Sequence, residues 1–138
     1  MKYNTEVLID GENMSHKKAD LIMQIAASQG VLYESRVYGR QKDQRTRGWT
    51  DKAKKHGIKD IRLYGGPKKN KVDNKIKRDA NRIMFNNKNV DIFVIATSDS
   101  DYIDEIEKLR MHGKRVVVVG SKQAPASLRH SCNKFIEI

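Results

Sequence analysis

The sequence predicts an α/β fold: a doubly wound, mostly parallel sheet of about five to six strands with helices on both faces. Three observations predict it. Runs such as VDIFVIA (90–96) and RVVVVG (115–120) are apolar on both of their faces, the pattern of strands buried on both sides of a sheet. Between such runs, apolar residues recur at spacings of three and four, so strand and helix alternate along the chain. The 138 residues suffice for one compact domain of this kind, covering 1–138, with no internal repeat, low-complexity tract or interdomain linker.

Taken in order, the first strand is TEVLI (5–9), which runs into Asp10, Gly11, Glu12 and Asn13 and so places Asp10 at its C-terminal end. Gly11 permits backbone angles that a turn beside a ligand requires. Asn13 has three readings: it fixes the rotamer of Asp10, contacts a substrate, or caps a helix. Ala19, Ile22, Met23 and Ala26 mark a helix ended by Gly30. The second strand (31–38) leads into a basic loop, GRQKDQRTRG (39–48), which carries Arg40, Lys42, Arg45 and Arg47. Trp49, Ala53 and His56 mark a short helix closed by Gly57, and Trp49 reads as a packing anchor ahead of a base-stacking platform. A third strand (60–64) ends at Gly65, Gly66 and Pro67. A second basic stretch, with Lys68, Lys69 and Lys71, then leads into a helix over 73–87 whose buried stripe is Ile76, Ala80, Ile83 and Met84. The fourth strand (90–96) breaks into Thr97, Ser98, Asp99, Ser100 and Asp101, and Ile103, Ile106, Leu109 and Arg110 continue at helical spacing. Gly113 ends that helix, 115–120 is a fifth strand, Pro125 opens a short helix through Ser131, and KFIEI (134–138) is the last strand.

Composition narrows the function classes. No run approaches the roughly 18 apolar residues of a membrane span. The residues after Met1 enter a strand pattern without the apolar segment of a secretion signal, so a cytoplasmic location is expected. Cys132, the sole cysteine, reads as a small buried apolar residue and excludes both an internal disulfide and a thiolate zinc site. The formal net charge is +11, and it is concentrated. Residues 36–82 hold 17 Lys/Arg against 5 Asp/Glu, whereas the remainder holds 11 against 12, so the whole excess lies in the middle third. A concentrated basic surface is the footprint of a polyanion partner, because neutralising phosphates releases counterions.

In an open parallel sheet, ligands bind in the crevice at the C-terminal ends of the strands. Right-handed crossovers bring the start of the 73–87 helix to that same edge. Asp10, Asp73, Asp99 and Asp101 therefore converge there from three separate segments, although Ser98, Asp99 and Ser100 serve equally well as helix caps. Asp79 lies six residues beyond Asp73, roughly 9 Å along the axis and about 120° round it, and its spacing suits an ion pair with Lys75 or Arg82. Two carboxylates about 4 Å apart repel by about 1 kcal/mol in water and about 4 kcal/mol at an effective dielectric of 20, so such a cluster calls for a cation. With no histidine or cysteine among them, the all-oxygen set suits Mg²⁺ or Mn²⁺. A hard divalent ion beside a phosphate-attracting surface points to phosphodiester chemistry.

The stretches that carry these acids, IDGEN (9–13), KVDNKIKRD (71–79) and TSDSDYIDEIEKLRMHGKRVVVVG (97–120), together with the closing SLRHSCNKFIEI (127–138), resemble a NYN domain of the PIN-like nuclease superfamily. The resemblance spans almost the whole chain, with the acidic motifs in the family's order. It implies a PIN-like, Rossmann-like fold and a metal-dependent ribonuclease, an endoribonuclease acting on single-stranded RNA. Asp10, Asp73, Asp99 and Asp101 would surround Mg²⁺ or Mn²⁺; the preference for RNA over DNA rests on the resemblance alone. Asn13 matches the family's D-x-x-N, and Asp79 a second acidic position in the same helix. Ser98 stands where glycine is common, Tyr102 where phenylalanine is usual, and Val72 departs from a small-residue pattern; none of these removes a carboxylate. Ser98 or Ser100 is expected to hydrogen-bond a carboxylate or a phosphate oxygen, and Arg40, Lys42, Arg45, Arg47, Lys68, Lys69 and Lys71 to hold the RNA backbone. A homodimer, or a further domain beyond the ends of this chain, fits the resemblance. The rival from another class is a catalytically silent NYN module that binds RNA or a protein. A phosphatase of the haloacid dehalogenase type is disfavoured, because its Asp-x-Asp pair belongs after the first strand, where this chain has Asp10, Gly11 and Glu12.

Overall fold

The computed structural model describes residues 2–41, 43–64 and 71–138, without the side chains of Arg45 and Lys71. Alternate residues of its central strands feed two separate cores. Along β1 (Asn4–Asp10), Leu8 enters one core while Val7 and Ile9 enter the other. Along β4 (Val90–Ala96), Phe93 and Ile95 part in the same way from Ile92, Val94 and Ala96. Along β5 (Arg115–Gly120), Val116 and Val118 part from Val117 and Val119. With both faces covered, such strands have no polar side to show, and their sequences read as unbroken apolar runs.

β2 (Val31–Arg40), β3 (Lys59–Leu63) and β6 (Lys134–Glu137) complete a six-stranded sheet, parallel at every pairing, in the order β3-β2-β1-β4-β5-β6. Helices α1 (Ala19–Gln29) and α2 (Trp49–His56) supply the core on one face. On the other face lie α3 (Lys71–Asn86), α4 (Ile103–Met111) and α5 (Ala126–Ser131). The chain builds outward from β1 to β3, and α3 then carries it back across the sheet to set β4 beside β1. Winding reverses at that point, so the helices leaving β1 and β4 diverge to opposite faces and open a crevice at the strands' C-terminal ends.

Most expected boundaries agree to within two residues, and the departures have local causes. Gly30 follows α1 with an extended backbone (φ 173°) in place of a left-handed turn; a Cβ there would lie 2.4 Å from the carbonyl oxygen of Tyr3. Close passage of the chain ahead of β1, not backbone angle, is what requires the glycine. Gly57 and Gly113 do take the left-handed angles expected of helix ends. Trp49 is fully buried, and its Nε1 donates to the carbonyl of Met14 at 2.9 Å, so it is the packing anchor and presents no face to a base. No helix among the described residues is long and apolar enough to cross a membrane.

Candidate active site

Asp73, Asp99 and Asp101 come together at the crevice, with a carboxylate oxygen of each within 4.8 Å of the other two. Each arrives by a short local route. Asp73 stands in the first turn of α3. Asp99 leaves β4 with an extended backbone, and its Oδ1 accepts from the backbone N–H of Asp101 at 2.9 Å, capping the 3₁₀ turn Ser100–Tyr102 that precedes α4. The capping and clustering readings of this turn thus hold together: the cap fixes the backbone that holds Asp101 beside Asp99.

Asp10 lies behind this group rather than within it. It is buried at the end of β1, where Oδ2 accepts from Asn13 Nδ2 at 2.6 Å and Oδ1 from the N–H of Glu12 at 3.3 Å. Of the three readings of Asn13, the structure bears out the one that holds Asp10. The hydroxyl of Tyr102 lies 3.1 Å from Asp10 Oδ2 and 3.0 Å from Asp73 Oδ1, linking the inner acid to the outer three. Thr97 Oγ1 approaches the same oxygen of Asp10 at 3.4 Å. Burial raises the Asp10 carboxyl from 3.8 to about 6, assisted by the charge of Asp73 and opposed by the hydrogen bonds from Asn13 and Tyr102. Asp73 is raised as well, by burial first and then by Asp99 and Asp101. The Tyr102 phenol is driven far up by burial beside the two carboxylates, so it remains a donor.

The expectation for Gly11 needs correction. No positive φ occurs there; instead its N–H donates to the carbonyl of Tyr38 at 2.9 Å, and a Cβ would sit 2.7 Å from that oxygen. A side chain would push the loop carrying Glu12 and Asn13 off the end of β2.

The secondary residues divide. Ser98 turns to Ser121: the two hydroxyls are 3.0 Å apart, and Ser98 Oγ accepts from the N–H of Ser121 at 2.8 Å, so it joins β4 to β5 and bonds no carboxylate. Ser100 is exposed and lines an open cleft of about 600 Å³ with Asp73, Asn74, Lys77, Asp101 and Ser127. Asp79 is outside the group of three acids. Its carboxylate accepts from the hydroxyl of Tyr38 at 2.7 Å and pairs with Lys75 at 3.1 Å and Arg82 at 3.2 Å, the helix-surface pairing that its spacing suggested.

Among the basic residues, Arg40 is drawn inward: its Nε donates to Glu12 Oε2 at 2.7 Å, tying the loop after β2 to the turn after β1. Arg47 is exposed and lines a groove of about 260 Å³ with Gln41, Asp43, Thr50, Asp60 and Arg62. Lys42, Lys68 and Lys69, and the side chains of Arg45 and Lys71, lie outside the described residues. Lys77 and Asn74 were missed by the sequence reading. The available signal was position, since Lys77 follows Asp73 by four residues and so shares its helix face.

Comparisons with known proteins bear on the fold and the family. A protein of unknown function from Vibrio parahaemolyticus superposes with a TM-score of 0.82 at 18% identity, covering 99% of this chain and 93% of that one, and so shares its fold. An uncharacterised protein of Methanocaldococcus jannaschii is 29% identical over an alignment 128 residues long, which covers 88% of this chain and 49% of that protein. The chain therefore spans about half the length of the curated relative it matches. Residues 4–138 match the sequence model of the NYN domain, a family of the PIN-like nuclease superfamily whose members are generally nucleases. With the match running nearly from end to end, the chain belongs to the NYN domain family.

Proposed function

We propose that this NYN domain is a ribonuclease that hydrolyses phosphodiester bonds of single-stranded RNA at a divalent-metal site formed by Asp73, Asp99 and Asp101. The observation that carries the reading is the approach of three carboxylates to within 4.8 Å of one another at the switch point of the sheet. At that separation each ionised pair repels by about 1 kcal/mol in water and about 3–4 kcal/mol at an effective dielectric near 20. The cluster is an all-oxygen set with no nitrogen or sulfur donor, which suits Mg²⁺ or Mn²⁺.

Within this reading Asp73, Asp99 and Asp101 hold the ion, and Asp10, clamped by Asn13 and joined to Asp73 through Tyr102, backs the array as its fourth acid. The bound ion would supply an activated water and steady the leaving oxygen. The residues themselves fix the geometry: the Asp99 cap orders the turn, and the buried Tyr102 hydroxyl holds Asp73. RNA as the partner is supported by the basic middle third.

End-labelled single-stranded RNA, incubated with Mn²⁺, Mg²⁺ or EDTA, tests the reading. Wild type should cleave only with metal, and Asp99→Asn should lose about 100-fold or more of the rate while binding is retained, since even outer groups of a metal site cost 10–100-fold. Absence of metal-dependent cleavage in wild type, with RNA still bound, would replace the nuclease by a silent RNA-binding module.

A further inference from the structure

We propose that Lys77 contacts a non-bridging oxygen of the scissile phosphate, a role that deepens the nuclease reading above and rests on it. The lysine lies one helical turn beyond Asp73 on the same face of α3 and lines the same cleft as Asp73, Ser100 and Asp101. Among the described residues it is the one basic side chain in that lining, beside carboxylates that would otherwise repel a phosphodiester. At this spacing an ion pair with Asp73 is the obvious alternative; among the described residues no carboxylate closes to a salt bridge with Lys77, although its charge reaches the Asp73 and Glu105 carboxyls and opposes their upward shift. Its recorded contact is with an aromatic face: Nζ stands 5.6 Å from the ring centroid of Tyr102, the tyrosine whose hydroxyl joins Asp10 to Asp73.

Several other cations among the described residues are paired with carboxylates. Lys75 and Arg82, on the same helix, both serve Asp79. Arg40 serves Glu12, and Arg62 serves Asp60 at 2.9 Å. Lys77 instead lines the cleft beside the acids, half-exposed, with its Nζ near the Tyr102 ring. A lysine placed so is suited to a group that arrives with the substrate. In the hydrolysis, a bond forms between phosphorus and the water oxygen, a bond from phosphorus to a ribose oxygen breaks, and negative charge gathers on the non-bridging oxygens between the two events. A fixed cation stabilises that charge more than it stabilises the ground state, so its removal acts on rate ahead of affinity.

Single-turnover cleavage of labelled single-stranded RNA by the full chain separates these terms when read beside RNA affinity in EDTA. Lys77→Met removes the charge while its stem still covers the Tyr102 ring, and thermal melting checks that the fold is kept. The expected result is a rate about 100-fold below wild type, with affinity changed by no more than about threefold. Lys77→Arg should recover at least about a tenth of the wild-type rate, because it restores charge but not shape. A Lys77→Met rate near that of wild type overturns the proposal. Rate and affinity falling by the same factor also overturns it, since that marks a tether to the backbone. If Asp99→Asn and wild type are indistinguishable, the nuclease reading itself has failed, and the assignment of Lys77 fails with it.

Discussion

The phenol of Tyr102 has one hydrogen and two carboxylates to serve, Asp73 at 3.0 Å and Asp10 at 3.1 Å. Tyr102→Phe keeps the ring in the core and deletes only that link, leaving two buried acids to face each other. Loss of a hydrogen bond that leaves a buried acceptor unpaired costs about 1–3 kcal/mol. Urea unfolding in EDTA should register a loss of that size, and an unchanged midpoint would show that the hydroxyl holds nothing. At this scale the sequence was unevenly informative. Asp10, Asp73, Asp99 and Asp101 could be placed at one edge because each ends a strand or begins a helix, which topology alone locates. The bridge could not be found, because it depends on a ring reaching from the turn after β4 to the end of β1; the sequence showed only a tyrosine where phenylalanine is usual. The contact of Ser98 was hidden for a similar reason: its partner, Ser121, lies on the loop after β5, a neighbour created by the sheet.

Strand β1 carries an acid inside the core. Glu6 is buried and paired with Arg36 of β2, which also reaches Glu34 at 2.6 Å. Burial outweighs that pairing and raises Glu6 from 4.5 to about 7. The folded protein therefore holds a proton on Glu6 at pH values where the unfolded chain has released it, and stability must fall as pH rises through that window. Asp10, raised from 3.8 to about 6, adds a loss of the same sign at slightly lower pH. Denaturant unfolding in EDTA should show declining stability between about pH 4.5 and 7, and Glu6→Gln should flatten the upper part of the decline. An identical slope in the variant would mean that Glu6 stays ionised beside Arg36. The apolar character of TEVLI marked a strand but not the partner of its glutamate, since that depends on the register of β1 against β2. In α3 the partners of Asp79 show the same division: Lys75 and Arg82 follow from helical spacing, whereas Tyr38 comes from a strand 41 residues away.

Across the whole molecule, the doubly wound sheet was legible because strand and helix patterns alternate along the chain and the central strands read as largely apolar runs. The charge distribution was legible as a sum but not as a surface. Of the 17 cations in residues 36–82, Arg36, Arg40, Lys52, Lys55, Lys59, Arg62, Lys75 and Arg82 face carboxylates of the chain itself. Fewer cations are therefore open to phosphates than the 17 in that stretch suggest, and the number that an RNA strand would engage can be measured. For a single strand, the logarithm of affinity falls against the logarithm of salt with a slope of about −0.7 per phosphate contacted. Arg47, exposed on the groove beside Thr50 and Arg62, is expected to make one such contact, so Arg47→Ala should weaken RNA binding and make the slope shallower by about 0.7. Arg40→Ala should instead lower stability with a smaller effect on slope, because it strips a partner from the largely buried carboxylate of Glu12. Fluorescence anisotropy of labelled RNA between about 50 and 200 mM salt gives both slopes. Equal, unchanged slopes in the two variants would remove the loop after β2 from the RNA path and leave the contacts to the segment that precedes α3.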